Sequence, residues 1–170
     1  AHKSTKSDII VELTGDCPLI DPKIVDKIIT KYLDSDFDYV SNSHVRSYPD
    51  GFDAQVFSYE LLKQVSIQTN DQYDRENVSS FIYRSGKYST FGFIAEPHEF
   101  WPELRVTLDD HGDYILIKNI IDYFYSINKQ EFNVTDVVNY IKKNSNLLEL
   151  NKDARVTIAP FQEIAKTQNE

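Results

Sequence analysis

The chain alternates short apolar runs with amphipathic stretches. Asp8-Ile9-Ile10-Val11-Glu12-Leu13 is brief, β-branched and apolar, the pattern of a buried strand. Thr14-Gly15-Asp16-Cys17-Pro18 interrupts it, because Gly and Pro punctuate regular structure. Asp21-Pro22 then opens a helix, with Asp as N-cap and Pro at the first helical position. Ile24, Val25, Ile28, Ile29, Tyr32 and Leu33 follow at helical spacing and form one apolar stripe. Asp38-Tyr39-Val40-Ser41-Asn42 predicts a second strand, so strand, helix and strand succeed one another as in a βαβ unit.

Tyr48-Pro49-Asp50-Gly51 is a turn, since Pro sets φ and Gly accepts positive φ. A strand is predicted over residues 53–57, and Ser58 caps a helix reaching about Gln68. Asp74 is expected to cap the next helix, which Gly86 ends. Residues 88–95 and 105–108 read as strands. Ile117, Ile120, Ile121 and Phe124 mark a helix ending near Ser126, and Val134, Val137, Val138 and Ile141 mark another. From Asn151 the chain is a polar tail, so residues 1–150 hold the expected folded part and 151–170 the tail. Alternating strands and helices predict an α/β protein, with no requirement that the sheet be all parallel.

Charge narrows the partners. With 18 Lys+Arg against 27 Asp+Glu in 170 residues, the net charge is −9. That field opposes nucleic acid and anionic membrane, so neither is expected as a partner. No apolar run approaches the length of a membrane span. The single cysteine excludes an internal disulfide or a thiolate zinc site within one chain. With no signal peptide visible, a cytoplasmic location is the expectation. The chain opens Ala1-His2-Lys3 without an initiator Met, which reads as a fragment or a processed chain.

In open α/β sheets, ligands bind beyond the carboxyl ends of strands. Two carboxylates stand at such predicted ends, Asp16 and Asp109. If their strand tips converge, the pair could hold a hard divalent cation completed by water and substrate phosphates. The plainer alternative is that both are helix or turn caps.

Thr14-Gly15-Asp16-Cys17-Pro18-Leu19-Ile20-Asp21-Pro22 resembles the central motif of sugar-activating cytidylyltransferases. The match is to the spore-coat polysaccharide type, related to the CMP-KDO and CMP-sialic acid synthetases. Residues 38–42, residues 48–57, Asp74-Arg75-Glu76 and Leu104-Arg105-Val106-Thr107-Leu108-Asp109 resemble later segments of that family, in the same order. The resemblance implies a Rossmann-like, GT-A-like nucleotide-diphospho-sugar transferase sheet with flanking helices. It implies that Asp16 and Asp109 are catalytic carboxylates that ligate Mg²⁺. It implies the reaction CTP + sugar → CMP-sugar + pyrophosphate, an acidic sugar as second substrate, and a homodimer. The family's opening strand and Gly/Arg/Lys loop have no counterpart here, so the domain is expected to be truncated at its N-terminus and inactive alone. Asn77 stands where the family commonly has His, and Asp110-His111-Gly112-Asp113 replaces Thr-Pro-Glu-Asp.

Further candidates carry two readings each. Asn42 could donate to a substrate or satisfy a turn. Asp50, Gly51 and Asp53 could line a sugar pocket or simply build the turn. Arg75 and Glu76 could contact sugar or a dimer partner, or occupy a helix first turn. Arg46 could pair with a substrate anion or stand in solvent. Cys17, Phe100 and Trp101 read as packing residues. Two other function classes are an interaction module on the same scaffold and a GT-A glycosyltransferase; the latter needs an Asp-x-Asp metal motif, and Asp34-Ser35-Asp36 and Asp36-Phe37-Asp38 have the letters but lie between a helix end and a strand, the place of a solvated turn.

Overall fold

The computed structural model describes residues 4–5, 7–154 and 163–165. Among the described residues six strands form, β1 (Ile9–Glu12), β2 (Tyr39–Ser41), β3 (Val45–Arg46), β4 (Gln55–Ser58), β5 (Thr90–Gly92) and β6 (Glu163–Ile164). Four make a mixed sheet in the order β1-β4-β2-β5. β4 runs antiparallel to both β1 and β2, and β5 runs parallel to β2. β1 and β2 therefore point the same way, as the βαβ pattern predicts, but β4 lies between them. β4 takes the central position because both of its sheet faces are buried: Val56 and Phe57 are wholly inaccessible to solvent.

Side-chain alternation sends neighbouring residues to opposite faces of the sheet. On one face Val40 and Val56 join a core with α1 (Pro22–Leu33), α5 (His111–Ser126) and α6 (Val134–Lys143). On the other, Ile10, Tyr39 and Phe57 pack with Leu61 and Val65 of α2 (Tyr59–Gln68) and Ile82 of α4 (Ser80–Arg84). β1 forms one margin of the sheet, and its Ile9 and Val11, with Leu13 beyond, stay largely exposed.

The caps explain the helix starts. Asp21 accepts the N–H of Lys23 at 2.9 Å with Pro22 at the first helical position, as expected. Its second carboxylate oxygen accepts the N–H of Val134 at 3.1 Å, so one side chain caps both α1 and α6. Asp110 and Asn133 form reciprocal capping boxes with Asp113 and Asp136.

Four expectations need correction. The helix expected from Asp74 is two short helices, α3 (Gln72–Glu76) and α4, and the cap is Asp71, which accepts from Tyr73 and Asp74 N–H groups. Asn77 ends α3 by turning both its N–H and its side-chain amide onto the Tyr73 carbonyl. The strand expected over 88–95 shrinks to β5. The one over 105–108 is a single parallel bridge between Asp50 and Arg105. Finally, the segment from Asn144 includes a 3₁₀ helix, Ser145–Asn151, and β6 pairs with β3. The rest of the expected polar tail lies outside the described residues. Among those described, no helix is long and apolar enough to cross a membrane.

Candidate functional site

Three segments meet beside the ends of β1 and β2. The Asp16 loop follows β1 and is held at its base by Cys17, whose Sγ lies 3.0 Å from Thr14 Oγ1. Leu108 donates its N–H to the Asp16 carbonyl at 2.8 Å. The Asp50 turn is stitched to the same strip: Asp50 N–H donates to Leu104, and Val106 N–H to Asp50, each at 2.8 Å. Main-chain bonds thus bring Asp16, Asp50 and Asp109 together although no regular strand carries Asp109. Gly51 makes this approach possible. Its φ is +114°, and a Cβ there would lie 2.8 Å from the Val106 carbonyl oxygen.

The cluster is strongly acidic. Burial raises the Asp50 carboxyl above its ordinary range; Arg46 and Arg105 pull it down, and Asp16 and Asp109 push it up. Both outer carboxylates therefore act on the same buried group. Burial likewise pushes Asp53 up to about 6, against the pull of Arg46.

Arg46 neutralises this interior. The exposed alternative is wrong, because only 3% of the residue is accessible. Its Nη2 donates to Asp53 Oδ2 at 2.9 Å, and Nη1 stands 3.2 Å from Asp50 Oδ1 without hydrogen-bond alignment. Burial pulls the guanidinium pKa down, but Asp53 and Asp50 outweigh it, so Arg46 stays charged. Asp53 Oδ1 and Arg46 Nε are buried without a hydrogen-bond partner. Cys17, packed beneath, has its thiol pushed up to about 12, chiefly by burial, so it is no nucleophile at neutral pH.

Asp109 lies at the outer side, its side chain 52% exposed. Arg105 donates to its carboxylate, and Thr107 Oγ1 donates to the same oxygen at 3.2 Å. Asp110 is occupied as the α5 cap. Among the described residues, no three His, Cys, Asp or Glu side chains group as a complete metal cage. A magnesium site needs less than that, because one or two carboxylates suffice when substrate phosphates and water fill the remaining positions. Asp16 and Asp109 fit this donor chemistry: both are oxygen donors, on segments joined by a main-chain bond, around one shared buried carboxyl.

The other candidates divide. Asn42 spends its amide inside the protein, donating to Phe52 and accepting from Ala54 N–H, both at 2.8 Å. It fixes the chain that carries Asp53. Arg75 and Glu76 stand apart on α3: exposed Arg75 donates to the Ser66 carbonyl at 3.1 Å, and Glu76 accepts from Gln72 at 2.9 Å. Asp34 is the C-cap of α1 and Asp36 an exposed loop residue, so Asp34-Ser35-Asp36 lies at the end of α1. The sequence shows no metal-ligand or triad spacing at His44, and the residue is buried between Tyr39 and Tyr83 with Ser41 Oγ 2.7 Å from Nδ1. Burial lowers its pKa to about 4. Sequence reasoning passed over the roles of Arg105, Asp113 and Asn151. The alternation of small polar residues over 41–44 was the available signal for His44; nothing local signalled the others.

The family model for cytidylyltransferases matches residues 1–100. An uncharacterized protein of Methanocaldococcus jannaschii is 28% identical over 157 residues, covering 91% of this chain and 62% of its own length. The spore coat polysaccharide biosynthesis protein SpsF of Bacillus subtilis is 26% identical over 144 residues, covering 84% of this chain and 58% of its own. The structure of a cytidylyltransferase from Leptospira borgpetersenii superposes with a TM-score of 0.79 at 31% identity, over 94% of this chain and 64% of that one. The chain thus spans about three-fifths of the length of the relatives it matches.

Proposed function

This chain belongs to the cytidylyltransferase family, and we propose that it carries the catalytic carboxylates of an enzyme that activates a sugar for surface-polysaccharide synthesis. The reaction is CTP + sugar → CMP-sugar + pyrophosphate. A sugar oxygen attacks the α-phosphorus, and the bond to pyrophosphate breaks. The observation that carries this reading is the Leu108–Asp16 main-chain bond, which supports a shared site for Asp16 and Asp109.

Asp16 and Asp109 would hold Mg²⁺, which when bound neutralises phosphate charge and steadies the leaving pyrophosphate. The requirement follows from charge: a chain of net −9 repels a triphosphate unless a cation intervenes. The protein's own part is positioning. Thr107 and Arg105 orient Asp109. Arg46 pairs with Asp50 and Asp53 and pulls their carboxyls down against the effect of burial, and Asn42 fixes the main chain leading to Asp53. Arg75 and Glu76 are exposed on α3, which leaves them available to a second copy in the homodimer that this reading carries.

The test is pyrophosphate release by the full-length protein with Mg²⁺, CTP and a panel of acidic and neutral sugars. Release that requires both CTP and one class of sugar is expected. Absence of CTP-dependent release across the panel overturns the reading.

A further inference from the structure

We propose that Arg105, Asp113 and Asn151 form a positioning relay for the Asp109 carboxylate, so that the C-terminal 3₁₀ helix sets the geometry of the outer side of the site. The inference rests on the reading of Asp109 as a metal-bearing carboxylate, and extends it to residues beyond the segment that the family model matches.

The geometry runs from the interior outward. Asp113 is wholly buried. Its Oδ2 accepts from Arg105 Nη2 at 2.9 Å, from Asp109 N–H at 3.1 Å and from Asp110 N–H at 3.4 Å. Its Oδ1 accepts from Asn151 Nδ2 at 3.0 Å. Asp113 is thus a fixed anion with both oxygens engaged. The same Arg105 Nη2 reaches outward to Asp109, which is half exposed.

The fork has one strong and one exchangeable arm. Breaking a buried, hydrogen-bonded charge pair is costly, whereas a solvent-exposed pair contributes little. Asp109 can therefore turn toward an incoming cation while Asp113 keeps Arg105 in place. A carboxylate on a surface loop would otherwise sample several rotamers; the guanidinium holds it in one. Asn151 secures this from the far side, because its amide also lies 3.3 Å from the Arg105 carbonyl. Close packing delivers it there: a Cβ at Gly112 would lie 2.5 Å from the Leu150 carbonyl oxygen.

The experiment uses full-length protein, wild type and Asn151→Ala, with Asn151→Ser as a second variant whose shorter hydroxyl is withdrawn from Asp113. Three quantities are read: the ¹⁵Nε order parameter of Arg105, the affinity for Mn²⁺ by electron paramagnetic resonance, and kcat with KM for the sugar. In the variants, the Arg105 Nε order parameter is expected to fall clearly below the wild-type value. Mn²⁺ affinity and kcat are each expected to fall about tenfold, with sugar KM unchanged. A folded variant with unchanged Arg105 order and unchanged Mn²⁺ affinity overturns the relay, as does a change in thermal stability alone. The two readings fail separately. A wild type that releases no pyrophosphate, while Asn151→Ala still loosens Arg105 and weakens Mn²⁺ binding, overturns the activity and supports the relay.

Discussion

Leu108 and Asp16, far apart in the chain, are joined by a 2.8 Å hydrogen bond from the Leu108 N–H to the Asp16 carbonyl. The acceptor is main chain, so a substitution at the Asp16 side chain leaves the bond in place. That separates chemistry from folding at this position.

Asp16→Asn and Asp109→Asn are therefore each expected to abolish pyrophosphate release by the full-length protein while the fold survives. Asp109 is half exposed, and loss of its pair with Arg105 should cost no more than about 1 kcal/mol. Circular dichroism and thermal melts check the fold alongside the assay. Wild-type rates in both variants would remove the metal assignment.

Arg46 is different, because it is buried between two carboxylates. Arg46→Met leaves Asp53 without its ion-pair partner and Asp50 with only the pull of Arg105, and should destabilise by about 3–5 kcal/mol. Adding Asp53→Asn to that variant should recover part of the loss, since the uncompensated charge is then smaller. Urea unfolding of the two single variants and the double variant measures the coupling. Purely additive losses would mean the pair does not interact.

Gly51 and Gly15 should respond very differently to alanine. At Gly51 the positive φ and the Val106 backbone 2.8 Å from a new Cβ predict a loss on the order of 2 kcal/mol or more. At Gly15 a Cβ meets nothing within 4 Å, so Gly15→Ala should be near neutral. Equal melting temperatures for the two variants would contradict this.

Acid acts on two buried groups with opposite signs. His44 is held near 4 in the fold against 6.5 when exposed. Its contribution is complete above pH 6.5 and is lost progressively as pH falls toward 4. Asp53 sits at about 6 in the fold against 3.8. There the folded state binds the proton first, so stability rises as pH falls from 6 toward 4. Each amounts to about 3 kcal/mol over its window. Between pH 7 and pH 4.5, His44→Gln should lose less stability than wild type, and Asp53→Asn should lose more. Unfolding curves at the two pH values decide it; parallel losses in all three proteins would refute both assignments.

Local chemistry made much of this legible. Asp21-Pro22 announced α1, Ser58 announced α2, and the Tyr48-Pro49-Asp50-Gly51 turn was readable because Pro and Gly have narrow backbone preferences. Asp16, Asp50, Asp53 and Asp109 could be named one at a time, although the sequence gives no distance between them. What escaped was long-range. Arg46 is buried only because Asp50 and Asp53 fold back onto it. Asn151 matters only because Gly112 lets the 3₁₀ helix close on α5. The break between α3 and α4 was missed because the apolar pattern runs on past Asn77, whose side-chain bond to the Tyr73 carbonyl prevails over it.

Among the described residues β1 lies at the margin of the sheet, which has a consequence for handling the chain by itself. Its outward main-chain groups and the exposed Ile9, Val11 and Leu13 offer a ready template for any extended peptide. Two such margins brought together at high concentration would zip into a continuous ribbon, so the isolated chain should grow stickier with concentration, in a way that has nothing to do with its chemistry.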